Sequence, residues 1–550
     1  MRTHLSFLLI ALSFTSLSVL AQDNPLFRHL PPDATSIYQV NVPALVSKLP
    51  WQELAQKIAS APKGKSDKSE HMMEMMQNPL ATGINITKDF FIAETNKGNA
   101  DSPAYITILV HLADSAKFVA FLTKQEPGLR FFSYPNKGRA AGKNQYGAAW
   151  DKDLAVLTIV KPAGDHMPPP PPKGKTAQPV PKHPAPNYAA LAAKKSFAAL
   201  RGFEGSVYTT DPVFMTGFSD DADMHAWVQQ GAGLSMLMKN LMHKSPMGGK
   251  DMMKAMAMHA SNVHSLVTLR FETGKIVVKS QTLYSPDSLA LFKKFGGRPL
   301  NTDLVSSLPK GNLLAMVNFH FDPAVFGDML NMSHNRGKID SALTSKGLTT
   351  DDIIHAFKGD FLIAALSPVD NPADSSAGKK QPSVYFAITI NDMPSFMKLA
   401  GKTNLMKDSA AAGSGATGDS ASADATPTLM EKAKMGYTLK GNTLVISTSK
   451  QNADAWFSNT EKRSTDFIPA LVKDNPFSLL IDMKTVGAMI QQMSHGQTSE
   501  KDKKIFHAFD VLDQFILAGG AVKDGKVETT FELKLTDTSE NSLHTLIKLF

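Results

Sequence analysis

Cysteine is absent from all 550 residues. That excludes disulfides, thiolate metal sites and thiol nucleophiles. Long apolar runs are also absent beyond the N-terminus, where one stops near residue 20. No later stretch reaches the ~20 residues that a membrane-crossing helix needs. Neither charge sign dominates: 58 Lys and Arg face 50 Asp and Glu, for a net charge of +8. No dense Lys/Arg block or aromatic–basic interleaving occurs, which argues against a nucleic-acid partner. H-E-x-x-H, G-x-S-x-G and Walker A segments are missing too, so the commonest hydrolase and nucleotide signatures are excluded.

What is present starts at residue 1. Arg2 precedes an apolar run from Leu5 to about Leu17, followed by Val19-Leu20-Ala21. This pattern reads as a signal peptide over residues 1–21, cleaved after Ala21. It predicts a periplasmic or secreted, soluble protein. A lipid anchor on cysteine is excluded. The length predicts more than one domain.

The chain reads as if written twice. "LPPDATSIYQVNVPAL" from Leu30 is answered by "LPKGNLLAMVNFHFDPAV" from Leu308. "KDFFIAE" at Lys88 answers to "GDFLIAA" at Gly359, and "AYITILV" at Ala104 to "VYFAITI" at Val384. "DMHAWVQQ" at Asp223 is matched with "TVGAMIQQ" at Thr485, and "ETGKIVVKS" at Glu272 with "KDGKVETTF" at Lys523. The order is kept throughout. Each copy carries its own insert: ten prolines within 161–186, and an Ala/Ser/Gly/Asp tract at 407–427. The first favours extended polyproline backbone, and the second cannot bury apolar surface.

Runs such as "SIYQVNV", "FFIAE", "YITILVHL", "LAVLTIV", "HSLVTLRFE" and "KIVVKSQTLY" read as strands. "ETGK" and "KDGK" read as hairpin turns. "ALVSKLPWQELAQKIA" and "NYAALAAKKSFAAL" read as amphipathic helices. The expected fold is therefore α+β. It has two tandem homologous domains, each a mainly antiparallel sheet with helices on one face. Their bounds are 22–297 and 308–550, with a linker at 298–307.

The opening of the first copy resembles a large uncharacterised family of exported proteins from Bacteroidetes-type bacteria, often lipoproteins. Pro32, Asp33 and Ala34 fit that family's first strand. Asn78, Pro79, Thr82, Gly83, Ile84 and Asn85 fit its Asn-Pro-x-x-Thr-Gly-Ile-Asp/Asn segment. The resemblance implies an exported α+β protein and no catalytic residues. The chain departs from the pattern in lacking a lipobox cysteine.

Several local motifs invite chemistry. Residues 235–259 hold eight methionines and two histidines. Folded as a helical hairpin over 236–259, Met238 and Met242 would face Met252, Met256 and His259. Thioethers and imidazole suit Cu(I). The same spacing suits core packing, because methionine is an adaptable filler. The second copy keeps Met489 and Met493 but offers Phe506 and Phe509 opposite them; phenylalanine cannot ligate a metal. The "HMMEMMQ" cluster at 71–77 likewise has no methionine counterpart around 338–342. Packing is the expected role, and no metal ligand is assigned.

"GSGATG" at 413–418 lacks the strand and helix that a dinucleotide loop needs. "SDDAD" at 219–223 lacks the spacing of a calcium loop and reads as a Ser219 cap before acids in a first helical turn. Ser395 and Lys398 form a Ser-x-x-Lys string on a predicted helix, without the partner motifs of that enzyme class. Asp408-Ser409-Ala410 and Asp419-Ser420-Ala421 resemble short O-glycosylation signals. No catalytic, cofactor-binding or metal residue is assigned, and no cofactor is expected. The expected function is a non-enzymatic binding or scaffolding module for a protein, peptide or glycan of the cell envelope. The alternatives are Cu(I) binding through 236–259 and a hydrolase without a recognisable motif.

Overall fold

The computed structural model describes residues 24–49, 79–96, 102–125, 128–134, 136–142, 144–162, 187–209, 212–229, 263–286, 298–332, 335–367, 382–402, 435–458, 463–493 and 508–549, with isolated positions between. The leader 1–21, Asn78, the 71–77 cluster, the methionine segment 236–259, the insert 407–427 with its O-glycosylation strings and "GSGATG", and nearly all of 161–186 lie outside these residues.

The fold combines helices with one large antiparallel sheet. The first ten strands are β1 (Ser36–Val40), β2 (Phe90–Thr95), β3 (Ala104–His111), β4 (Arg130–Tyr134), β5 (Lys137–Ala141), β6 (Tyr146–Trp150), β7 (Leu154–Lys161), β8 (Met224–Gln229), β9 (His264–Glu272) and β10 (Lys275–Leu283). The rest are β11 (Leu313–His320), β12 (Phe357–Leu366), β13 (Ser383–Ile390), β14 (Gly436–Lys440), β15 (Thr443–Ser447), β16 (Phe477–Asp482), β17 (Leu512–Lys523) and β18 (Lys526–Leu535). Tracing the pairings across the sheet gives the order β4-β5-β6-β7-β3-β2-β1-β8-β9-β10-β18-β17-β16-β11-β12-β13-β15-β14.

The run β3-β2-β1-β8-β9-β10 on one side has the same chain logic as β13-β12-β11-β16-β17-β18 on the other. The two runs meet where β10 and β18 pair antiparallel, with Lys279 opposite Thr530. The "ETGK" and "KDGK" turns are hairpins as expected: Glu272 pairs with Lys275 and Lys523 with Lys526. Asp524 and Gly525 both adopt positive φ, 48° and 75°, the backbone that a two-residue hairpin loop demands.

The six strands read from the first copy form as expected. Three were not foreseen. β4, β5 and β6 form from "RFFSY", "KGRAA" and "YGAAW", where glycine and alanine blur the alternation that marks a strand. A fourth corrects the sequence reading. Residues 224–229 form strand β8, not the helix expected after Ser219. They pair with β1 on one side and β9 on the other. "TVGAMIQQ" lies in the helix Met483–Met493, whereas most of "DMHAWVQQ" forms β8; the strand beside β11, as β8 is beside β1, is β16. In the first match Val40-Asn41 stands against Val317-Asn318 by sequence, two residues from the register that pairing gives. Gln39 faces Phe91 as Asn318 faces Leu362.

Helices cover both faces, not one. Leu109 of β3 lies in the core cluster with Phe91, Tyr208 and Phe214. Its neighbours Ile108 and Val110 lie in a different cluster with Phe118 and Leu122. Successive strand residues point to opposite faces, so the helix Ser115–Gln125 packs opposite the helix Tyr188–Arg201. β13 divides in the same way. Tyr385 and Ala387 join Trp456 in one cluster, while Ile388 joins Phe396 in another.

The helices start where their sequences provide caps. Asp114 Oδ1 accepts from the N–H groups of Ala116 and Lys117, and Asp392 Oδ2 accepts from Ser395 N–H. Such caps satisfy donors that the first turn leaves unbonded. Residues 298–307 are more than a connector. They contain the helix Thr302–Ser306 and bury Leu300, Leu304 and Val305 in the second core.

Glycine permits the close approach of helix to sheet. A Cβ on Gly147 would lie 2.3 Å from the backbone nitrogen of Ala193, and one on Gly436 would lie 2.0 Å from that of Lys450. Gly147→Ala is therefore expected to push the helix Tyr188–Arg201 off β6 and cost about 1–3 kcal/mol. A urea midpoint unchanged by the substitution would contradict this packing.

Candidate functional site

A dense polar grouping forms where β1, β8 and β9 run side by side. Gln39 on β1 lies directly opposite His225 on β8, and both are buried. Gln39 Nε2 donates to Asp89 Oδ2 at 2.6 Å. His225 Nε2 lies 2.6 Å from Asp220 Oδ1. Asp220 Oδ2 also meets Arg270 at 3.0 Å, and Arg270 reaches Asp221 at 2.6 Å. "SDDAD" thus forms an acidic turn around Arg270 and His225, neither a helical first turn nor a calcium loop. The turn is fixed in part by Asp220 accepting from Ala222 N–H.

Burial works to raise the Asp220 carboxyl. The Ala222 amide, the His225 contact and the Arg270 charge outweigh burial and hold it below its ordinary range. Just before β8, Asp223 is fully buried and receives Lys48 Nζ on both oxygens, at 2.7 and 2.6 Å.

A matching cluster occupies the other run. His320 Nδ1 lies 2.6 Å from Asp360 Oδ1, and Asn301 Nδ2 donates to Asp360 Oδ2 at 3.2 Å. Both members of the pair are nearly inaccessible, with side-chain exposures of 6% and 7%. Burial again works to raise the carboxyl, and the His320 and Asn301 hydrogen bonds again prevail in lowering it. Beside this pair, Asn318 on β11 lies opposite Ser478 on β16.

A carboxylate beside an imidazole is half of an acid–base machine. The other half is a nucleophile with room for substrate. Among the described residues, neither His225 nor His320 has a hydroxyl as hydrogen-bond partner, and both lie within the fold. These pairs are suited to fixing charge inside the protein. Among the described residues there is also no group of three or more His, Asp or Glu placed to hold a metal.

Ser395 and Lys398 do lie on a helix, Met393–Lys402. The lysine, however, bonds Asp352 at 2.6 Å, and that bond leads in holding the Asp352 carboxyl low. The copper ligands considered from sequence, Met238, Met242, Met252, Met256 and His259, lie outside the described residues. Phe509 does not: a Cβ on Gly487 of the helix Met483–Met493 would come within 2.7 Å of it. That close contact is a packing role.

Sequence reasoning passed over Gln39, His225, Asn318 and Ser478. The signal was there. Each stands two positions from an apolar residue that packs in the core: Ile37, Trp227, Met316 and Leu480.

Acid sensitivity follows. A carboxyl held below its unfolded value contributes stability above the unfolded pKa of about 3.9 and loses it as pH falls through and below that value. Asp360→Asn is expected to flatten the fall in thermal midpoint between about pH 5 and pH 3. An equally steep fall in that variant would show that Asp360 is not the source.

The face of the central strands opposite His225 is apolar. Val267 and Leu269 of β9, Val278 of β10, Phe531 and Leu533 of β18, and Phe515 and Leu517 of β17 share it by register. All of them are half-buried, whereas Ile516 and Ala518, which point the other way, are buried. Toward the β16 side, Phe477 stands 38% exposed. No described helix is long and apolar enough to cross a membrane.

No family model matches the chain, and no curated protein matches it. Among solved structures, crystal form IV of TP0453 aligns at 6% identity and a TM-score of 0.26, over 50% of this chain and 86% of that one. Crystal form III of the same protein aligns at 6% identity and a TM-score of 0.27, over 50% and 88%. Alignment at that level carries no argument about fold or function.

Proposed function

We propose that the protein is an exported, soluble, non-enzymatic binding or scaffolding module of the cell envelope, built from a duplicated α+β unit. The carrying observation is the apolar, half-buried face of the central strands. An antiparallel sheet with one face packed ordinarily turns alternating polar residues to water on the other. Here β10 and β18 do alternate, with Lys279, Thr530 and Glu532 on one face, but the apolar face is only half-buried at Leu269, Val278, Phe531 and Leu517. Surfaces of this kind bind partners. The chemistry they fit is a protein or peptide with apolar side chains. A glycan, rich in hydroxyls, fits this face less well.

Three observations support the duplication. The succession of strand pairings is the same in each run. Asp114 and Phe118 recur as Asp392 and Phe396, each pair opening a helix after the third strand of its run. Gly147 and Gly436 each admit a helix against the sheet. Export and a periplasmic or secreted location rest on residues 1–21.

The test is a photo-crosslinking residue placed at Val278, with another at exposed Lys152 as control. In the native envelope, Val278 is expected to give a discrete adduct that Phe531→Lys abolishes while the far-UV spectrum stays unchanged. No adduct at Val278, or one equally strong at Lys152, would overturn the reading. Neither the copper nor the hydrolase alternative has a supporting observation among the described residues.

A further inference from the structure

We propose that each run of the sheet holds one buried water molecule, bridging Gln39 to His225 in the first and Asn318 to Ser478 in the second. Four atoms carry this: Gln39 Oε1, His225 Nδ1, Asn318 Nδ2 and Ser478 Oγ. Each is buried without a hydrogen-bond partner among the described residues. They come as two pairs, because Gln39 lies directly opposite His225 and Asn318 directly opposite Ser478. The two pairs also occupy the same place in the fold, between the first strand of each run and the strand beside it. Directly opposed residues have Cβ atoms about 4.5–5.5 Å apart, a span that one water bridges.

The bonding demands differ at the two sites, and water meets both. At the first, Nε2 of His225 faces the Asp220 carboxylate, so in the neutral ring the proton sits there and Nδ1 presents a lone pair. Gln39 has committed its amide N–H to Asp89, so Oε1 is also an acceptor. Two acceptors cannot bond each other; a molecule with two donors satisfies both. At the second site, Asn318 Nδ2 needs an acceptor, and the Ser478 hydroxyl can play either part. A species with two O–H donors and two lone pairs serves both arrangements. Buried waters characteristically bind polar groups that the protein leaves unpaired.

The proposal is independent of the binding face, since all four atoms lie on the helix-packed side. Oxygen-17 relaxation dispersion of water counts long-lived internal molecules in the intact protein. Replacing Ser478 by alanine together with Asn318 by leucine is expected to remove the amplitude of one such molecule. The first site should be untouched. Unchanged amplitude would overturn the proposal for the second site. Should the double variant fail to fold, a crystal structure of the unaltered chain decides. Density within about 3.2 Å of both atoms of each pair upholds the proposal. Direct side-chain contact, or no density, refutes it.

Discussion

Asp223→Ala is expected to cost about 3–5 kcal/mol of folding stability. Asp223 is fully buried at the entry to β8 and gathers three donors. Lys48 Nζ reaches both carboxylate oxygens, and Phe271 N–H reaches Oδ2 at 2.6 Å. The backbone of Asp223 also accepts from Asn41 N–H and donates to the Leu269 carbonyl. One residue therefore ties β8 to β1 and β9 and anchors the helix Val42–Lys48. Alanine would leave a lysine with 28% side-chain exposure without its counter-charge, and an amide without its acceptor. Unsatisfied charge inside a protein is costlier than the intact pair is favourable. Lys48→Met, which removes the cation and keeps the apolar stem, should cost less than Asp223→Ala. Urea midpoints for the two variants check this. Equal and small losses would show that the pair contributes little.

Phe118→Ala and Phe396→Ala are each expected to cost about 3–5 kcal/mol. Both rings are essentially buried, at 0% and 1% exposure. Each lies one turn into a helix whose preceding aspartate caps it, and each packs edge-on to another aromatic. Phe118 meets Trp150 at 6.2 Å, and Phe396 meets Phe357 at 6.0 Å. Removing either ring leaves a cavity between helix and sheet that the rigid strands cannot close. The comparison of the two variants matters more than either number. The proposed duplication predicts similar losses at the two positions, read from thermal midpoints. A large loss at one and a negligible loss at the other would break the equivalence.

Much of the sheet was legible locally. β-rich runs marked six strands in the first copy, and "ETGK" and "KDGK" marked two hairpins. These signals survive because β-branched and aromatic residues suit a packed sheet and a two-residue turn must admit positive φ. The "MHAWVQ" segment misled because Met, Ala and Gln suit a helix. Only the strands on either side of it, β1 and β9, make it a strand. The match of Val40-Asn41 to Val317-Asn318 failed by two residues for a related reason. A shift of two keeps every side chain on its face, so the pattern cannot detect it; pairing with β2 and β12 does.

Composition and periodicity by themselves determined the absence of thiol chemistry, the α+β class and the turns. All of these depend on residue type or on neighbours a few positions away. The tertiary structure alone decided that two runs of strands join through β10 and β18 into one sheet and that helices cover both faces. It alone decided that Gln39 lies opposite His225. Burying a polar group is unfavourable unless a partner meets it, and for Gln39 and His225 the opposition is set by strands far apart in the chain. No local pattern encodes such an opposition, because pairing between distant strands is chosen by the packing of the whole sheet.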